Sequence, residues 1–582
     1  MECLCTGRDV VVVLPTGGGK SLCFQAPAVT SPGLAVVVSP LISLMKDQVD
    51  ALTECGVPAA RIDSSVSPEE RDDVLEQIRN RRLKLLYISP ERLVSESFSK
   101  YLQKLDLSFI AIDEAHCISM WGHDFRPEYR QLGSLRKVFP KVTIGAYTAT
   151  ATEHVRRDIA EQLSLRDPAM LVGSFDRPNL IYKVRPRNRI VKQVCEVIDR
   201  HRDESGIIYC IRRRDVDEMA AALTVKGFCV APYHAGMSDE ARKKNQDDFV
   251  TEKIDTIVAT IAFGMGIDKS NVRYVIHAGM PKSLEHYQQE SGRSGRDGLE
   301  AECCLFYSGG DYGTWKSLMG EMDPQAKEIA LAKLSRMYRY CTEGVCRRKA
   351  ILEYFGQSLG KNECSACDIC LGDVDSIEDS LIVAQKILSC VLRLGQRFGG
   401  AYTAMVLTGS RDQRILDNGH DTLSTYGLLS EHDSHAVQNW IEQLTGQGFL
   451  EKTGDYNVLV VTTEGRRVLK GEVTPRLLRP TQKPERKAKV ATDAWQGVDR
   501  RLFETLRMVR GALARERGIP AFVIFGDAAL RDMARRRPST LQAFLEVKGV
   551  GQTKARQYGR IMVERIRAHC IEHAIEMDLS PL

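Results

Sequence analysis

Thr16-Gly17-Gly18-Gly19-Lys20-Ser21 follows the apolar run Val10 to Leu14 and precedes Leu22 to Ala28, a segment able to begin a helix. A strand, a glycine turn and a helix start make a cradle for phosphate, because glycines admit backbone amides to the oxygens with no side chain between. Lys20 can reach the β and γ phosphates of a nucleotide, and the Ser21 hydroxyl can hold Mg²⁺. The strict pattern has glycine where this chain has Leu14, so a purely structural glycine turn is the alternative at this point.

Outward from the cradle, short apolar runs alternate with polar, helix-compatible segments: Val10 to Leu14, Leu34 to Val38, Leu85 to Ile88, Phe109 to Ile112 and Thr143 to Tyr147. That alternation predicts a parallel sheet flanked by helices. A second series runs through Ile207 to Tyr209, Phe228 to Ala231, Thr256 to Ala259, Val272 to Ile276 and Glu302 to Phe306. The fold class expected is α/β, two tandem parallel-sheet lobes over 1–172 and 173–311. A helical, cysteine-bearing region over 312–375 follows. Helices ending in the β-rich Tyr456 to Thr462 suggest a winged helix over 376–472. A basic linker occupies 473–492, and a small helical bundle is expected over 493–582, where Leu502, Phe503, Leu506, Val509 and Leu513 recur at helical spacing.

Length and composition set the class. At 582 residues the chain exceeds one core and suggests roughly three to five domains. No apolar run approaches the roughly 18 to 20 residues that span a bilayer, and the N-terminus lacks a secretory apolar region, so a cytoplasmic, nucleoid-associated location with no membrane partner is expected. The net charge of +5 identifies no partner by itself, but Arg476 to Lys489 sets six basic residues against Glu485. That stripe suits either nucleic acid or a solvated linker. Most of the 17 cysteines fall in apolar runs and read as core residues of a reducing compartment.

Two further segments carry chemistry. Phe109 to Ile112 runs into Asp113-Glu114-Ala115-His116, which puts two carboxylates at the end of a strand, where open α/β sheets bind ligands. Asp113 is suited to Mg²⁺ and Glu114 to polarising the attacking water; an acidic helix-capping turn is the alternative. In Gln288 to Asp297, Arg293 and Arg296 would share one face if the segment is helical and could reach across a cleft to a γ-phosphate. The alternative is a surface ion-pair helix.

In order and spacing these segments resemble superfamily two helicases, and closely the RecQ family, over nearly the whole chain. The likeness also rests on Ser39-Pro40-Leu41-Ile42-Ser43-Leu44-Met45, Tyr147-Thr148-Ala149-Thr150-Ala151 and Ala259 to Asp268. The resemblance implies RecA-like lobes and ATP hydrolysis that drives 3′ to 5′ translocation on single-stranded DNA and separation of duplex or branched DNA in recombination and repair. It places Asp268 near the nucleotide, makes Leu14 the family's usual departure, and implies DNA-repair proteins as partners. Trp121-Gly122-His123-Asp124-Phe125-Arg126-Pro127 is similar to the family's aromatic-rich loop; Trp121, His123, Phe125 and Arg126 could stack on bases and hold a phosphate. The family's glutamine motif, which reads adenine, is absent ahead of Val10, so either the natural start lies upstream or adenine is read weakly.

Cys364-x-x-Cys367-x-x-Cys370 sets three thiols on a tight turn; Cys346, 18 positions earlier, or Cys341 could close a four-thiolate shell for structural Zn²⁺. The resemblance favours Cys346. In the winged helix, Val437, Trp440, Ile441 and Leu444 are expected as a buried stripe and Tyr456 as a wing aromatic for duplex DNA. The last region resembles the HRDC module, in which Lys548-Gly549-Val550-Gly551 makes a hairpin whose amides could meet phosphates, with Lys548 assisting. The competing function is a strand-annealing scaffold without productive hydrolysis; an RNA helicase is a third.

Overall fold

The computed structural model describes residues 1–264, 269–320, 322–360, 363–454, 457–480 and 495–579. Its first sheet has seven parallel strands, β1 (Val10–Val13), β2 (Leu34–Val38), β3 (Ala59–Ile62), β4 (Leu85–Ile88), β5 (Leu107–Ile112), β6 (Thr143–Thr148) and β7 (Ala169–Val172), in the order β3-β4-β2-β5-β6-β1-β7. All residues of β1, β2 and β4 are buried, as continuous β-branched and leucine runs covered on both faces must be. The order reverses beside β1, so the loops after β1 and β5 open on one crevice at the carboxyl edge.

The second sheet has six strands, β8 (Leu180–Pro186), β9 (Ser205–Tyr209), β10 (Val230–Tyr233), β11 (Thr256–Ala259), β12 (Val272–His277) and β13 (Ala301–Tyr307), in the order β10-β11-β9-β12-β13-β8, again parallel throughout. Three strands lie outside the runs read from sequence: β3, β7 and β8. Each sits at a sheet edge: in β3 and β8 alternation or a charge replaces the apolar run, and β7 is a short apolar run whose Met170 and Leu171 are exposed.

Two helices, Pro324–Thr342 and Arg347–Tyr354, follow the second lobe. Leu334, Met337, Ile351 and Phe355 join an apolar core continuous with Phe175, Leu180 and the lower face of the first sheet. This helical region is therefore packed between the lobes rather than appended to them. A separate core holds helices Ser380–Arg393, Gly400–Leu407 and Ser434–Gly446 against the hairpin β15 (Leu450–Thr453) and β16 (Val458–Val461). The stripe Val437, Trp440, Ile441 and Leu444 is buried in it, as expected. Short strands β14 (Val374–Ser376) and β17 (Leu478–Pro480) pair antiparallel at its base.

The last core is a helical bundle of Arg500–Arg517, Asp527–Arg536 and Gln552–Glu572. It docks on the second lobe through charge: Arg531 pairs with Glu300 at 2.7 Å, and Trp495 Nε1 donates to the same carboxylate at 2.8 Å. The α/β class with two lobes, a helical cysteine-bearing region, a winged helix and a terminal bundle matches the expectation.

Candidate nucleotide pocket and DNA-facing surfaces

The loop after β1 needs its glycines. Gly17 and Gly19 have φ of +80° and +78°, the left-handed region where a Cβ is penalised. A Cβ on Gly18 would lie 2.8 Å from the Pro15 carbonyl oxygen. Lys20 and Ser21 then lead into the helix Leu22–Thr30, and Gln48 Nε2 donates to Ser21 Oγ at 3.3 Å. Gln48 carried no motif of its own in the sequence reading.

Asp113 and Glu114 follow directly on β5 and are 4% and 7% exposed, so their charges act in a low-dielectric site. The Asp113 amide donates to Val38 at 2.9 Å, Tyr129 Oη donates to the Asp113 carbonyl at 3.0 Å, and Glu114 adopts φ of +47°. Burial, then the Glu114 charge, pushes Asp113 up to about 7. Burial also opposes ionisation of Glu114, but Lys20, His116 and Arg293 outweigh it and hold that carboxyl at about 2. Glu114 Oε2 lies 3.3 Å from His116 Nδ1, is buried, and has no hydrogen-bond partner. An ionised, underpaired carboxylate beside a buried second acid fits a hydrated divalent cation, whose charge would favour the ionised form of Asp113 as well.

Arg293 and Arg296 do not share a helix face. The helix Leu284–Ser291 ends before them, because Gly292 closes it and Gly295 turns at φ of +58°. The turn nevertheless sends both arginines to the first lobe. They line a cavity of about 580 Å³ together with Thr16, Lys20, Ser21, Asp113 and Glu114. A Cβ on Gly17 would meet Arg296 Cγ at 3.3 Å, and Arg293 is 4% exposed with a buried, unpartnered Nε. Asp268 lies outside the described residues.

The aromatic loop divides into an outer and an inner part. Trp121 is 42% exposed, its ring edge-on to His154 at 4.8 Å, and Phe125 is half-buried. Arg126 pairs with Asp124 at 3.2 Å and donates to the Pro40 carbonyl at 3.0 Å. His123, expected with the DNA contacts, faces inward: it stacks on His116 at 3.9 Å, meets His286 edge-on at 4.9 Å and is 9% exposed. Burial, then the neighbouring His116 and His286, holds it well below the usual imidazole range, so it is neutral and unsuited to pairing with phosphate. It connects the loop to the His116 and Glu114 pair instead. Lys333, a lysine without motif context in the sequence, donates to the carbonyls of Trp121 (2.6 Å) and Gly122 (3.0 Å) and pairs with Glu285 (3.0 Å).

Cys346, Cys364, Cys367 and Cys370 bring their Sγ atoms within 4.8 Å of one another, and Cys346 and Cys367 are 4.0 Å apart. Four thiolates around Zn²⁺ at ~2.3 Å give Sγ separations of ~3.8 Å, so the cluster fits tetrahedral zinc with no open position. Cys341 is buried and is not part of the group. Tyr456 lies outside the described residues. Lys548 is exposed at the HRDC-like hairpin, but its amide, expected to be available to phosphate, donates to Asp532 at 2.8 Å. Lys554, on the helix that follows, donates to the Val523 carbonyl at 2.8 Å.

Family models match in the order of these regions: DEAD/DEAH box helicase over 1–158, helicase conserved C-terminal domain over 189–298, RecQ zinc-binding over 309–371, RQC domain over 375–486 and HRDC domain over 499–566. The ATP-dependent DNA helicase RecQ of Pasteurella multocida is 42% identical over 574 residues, covering 97% of this chain and 89% of the relative. The protein of the same name from Bacillus subtilis is 41% identical over 565 residues, covering 97% and 94%. No helix among the described residues is long and apolar enough to cross a membrane.

Proposed function

The chain belongs to the RecQ family of ATP-dependent DNA helicases, and we propose that it couples ATP hydrolysis in the interlobe cavity to 3′ to 5′ movement along single-stranded DNA. ATP, Mg²⁺ and Zn²⁺ are its cofactors, and DNA is its substrate. The observation that carries the proposal is the convergence of Lys20, Ser21, Asp113 and Glu114 from one lobe with Arg293 and Arg296 from the other on a single cavity.

In this reading the amides of Thr16 to Gly19 and the Lys20 ammonium hold the phosphates. Ser21 and Asp113 would hold Mg²⁺, which when bound neutralises phosphate charge and orients the terminal group. Glu114, kept ionised by its basic neighbours, accepts a proton from the attacking water. Arg293 and Arg296 offset the charge that develops on the transferred phosphoryl group, a contribution of about 10³ to 10⁵ in rate for arginines of this kind. Asp268 is assigned to the nucleotide by its motif. Trp121, Phe125 and Arg126 are the DNA-contacting members of the aromatic loop, joined by Tyr456 and Lys548 in the accessory modules. The boundaries 1–172, 173–311, 312–375, 376–472, 473–492 and 493–582 divide the chain. Duplex and branched DNA of recombination and repair, repair proteins as partners and a nucleoid location complete the proposal.

The test is ATP turnover with and without single-stranded DNA, paired with strand displacement on duplexes tailed at the 3′ or the 5′ end. Stimulated turnover with displacement of the 3′-tailed substrate alone is the expected result. Displacement of both substrates, or turnover indifferent to DNA, would sink it.

A further inference from the structure

The connection between the two sheets, Gly173 to Asn179, holds none of the residues assigned to the nucleotide, yet it touches both walls of the cavity. Arg177 Nη1 donates to the Thr16 carbonyl at 3.1 Å and to the Gly292 carbonyl at 3.3 Å. Its Nη2 donates to the carbonyls of Ser294 at 3.0 Å and Gly295 at 2.9 Å. Thr16 opens the phosphate loop; the other three acceptors are the backbone of the turn that carries Arg293 and Arg296. A planar guanidinium with fixed donor directions thus spans the two lobes, and it grips main chain, which sets where both arginines start. Asn179 Nδ2 reinforces the turn, donating to Gly295 at 2.9 Å and Leu299 at 2.7 Å.

The connection is also held from behind. Arg348 Nη2 donates to the carbonyls of Arg177, Pro178 and Leu180 at 3.2, 3.1 and 2.9 Å, and Arg348 Nε lies 3.3 Å from Asp176. Gln357 accepts from the Phe175 amide at 2.8 Å and donates to the Gly173 carbonyl at 2.9 Å. Phe175 and Phe355 stack at 4.4 Å and 12°. These groups sit on or just after the helix Arg347–Tyr354, whose N-cap is Cys346 of the four-cysteine cluster. A flexible joint would leave Arg177 free to swing; this one is fastened along its length.

We propose that Arg177 is a positioning residue for ATP hydrolysis. It spaces the phosphate loop from the turn bearing Arg293 and Arg296, and the helix that starts at the zinc cluster anchors it. The assignment rests on the reading of the cavity given above. Arg177 touches no reacting atom; it acts through the carbonyls it holds.

The test compares Arg177→Lys and Arg177→Met with the unaltered, zinc-loaded full chain. Lysine keeps the charge and much of the bulk but brings its donors to one atom, so it cannot serve Thr16 and the Ser294 and Gly295 pair together. Arg177→Lys is expected to keep the melting temperature, the affinity for a non-hydrolysable ATP analogue and the KM for ATP, while kcat at saturating single-stranded DNA falls by about 10²-fold. Arg177→Met shows the same split with a larger loss, and if it fails to fold the lysine variant decides alone. An unchanged kcat in Arg177→Lys overturns the proposal. So does a parallel fall in kcat and analogue affinity, which would put Arg177 in the nucleotide grip, or a kcat that falls only in step with melting temperature. Failure of the unaltered chain to hydrolyse ATP with DNA would be a different result, overturning the reading of the cavity and the proposal with it.

Discussion

Replacing Arg347 by methionine should loosen the zinc region far more than a surface charge would. Its side chain is 2% exposed and that of Asp368 is fully buried. Nε and Nη2 bind the Asp368 carboxylate at 2.9 to 3.3 Å, and Nη1 donates to the carbonyls of Tyr340 at 2.6 Å and Glu343 at 3.0 Å. Asp368 also accepts the Val184 amide of β8 at 3.0 Å, so the pair joins the cysteine turn to the second sheet. Removing one partner strands a carboxylate away from water, a cost of about 3–5 kcal/mol. Arg347→Met/Asp368→Asn removes that charge while keeping an acceptor for Val184, leaving the two orphaned carbonyls and the Ile369 amide, which donates to Asp368 Oδ1 at 2.9 Å in the parent. The double variant should therefore recover at least about 2 kcal/mol relative to the single one. Zinc release into a chromogenic chelator across a urea series reads the opening of this region, and the single variant should shift the release equilibrium by about two to four powers of ten. A single variant costing less than about 1 kcal/mol, or a double variant no better than the single one, would refute the reasoning.

Lys20→Ala should lower ATP turnover by at least about 10²-fold while single-stranded DNA affinity, read by fluorescence anisotropy, changes little; equal loss of both would remove the phosphate role. Glu114→Gln should still bind ATP but turn over about 10² to 10⁴-fold more slowly, and a normal rate would end its assignment as the base. His201 bonds Glu204 at 2.7 Å and Glu302 at 3.0 Å; burial opposes its charging, but these bonds raise it to about 9. Its contribution, about 3 kcal/mol, is therefore complete below the unfolded value near pH ~6.5 and fades as pH rises through about 9. Melting curves from neutral to alkaline pH should show that loss in the parent and not in His201→Gln; matching slopes would exclude the histidine. Lys333→Ala frees the carbonyls of Trp121 and Gly122 and should cut the ratio of DNA-stimulated to unstimulated turnover by about ten-fold in a coupled ATPase assay, whereas a preserved ratio would show that the loop needs no anchor.

The central strands and the cradle were legible because burial on both faces leaves an uninterrupted apolar run, and because glycine is the residue that most readily supplies the positive φ of Gly17 and Gly19. Edge strands β3, β7 and β8 were not. β8 carries Lys183 and Arg185, and the buried Lys183 meets Glu302 at 3.3 Å, a partner more than a hundred positions away. The cysteine spacing led to a real cluster, since three thiols on one turn need only a fourth to approach. The arginine pair is singled out by motif, but the motif leaves open whether its segment is helical, and Gly292 and Gly295 end the helix before it. His123 shows the limit of composition: an imidazole among aromatics reads as a surface contact, and only its stack on His116 shows that it points inward. Arg177 gave no local signal, because its acceptors are backbone carbonyls contributed by two distant segments.

The β14 and β17 pair has a mechanical corollary. Val374 faces Pro480, so the chain arriving from the cysteine-bearing region and the chain departing toward the last bundle sit side by side at the same end of the ribbon. Tension between those neighbours loads the ribbon like a zipper, one rung after another, as far as Leu478, which Trp440 and Gln443 of the winged-helix core hold by hydrogen bonds. A pull that separates Val374 from Pro480 would thus be resisted first by three backbone rungs and then by that buried polar anchor.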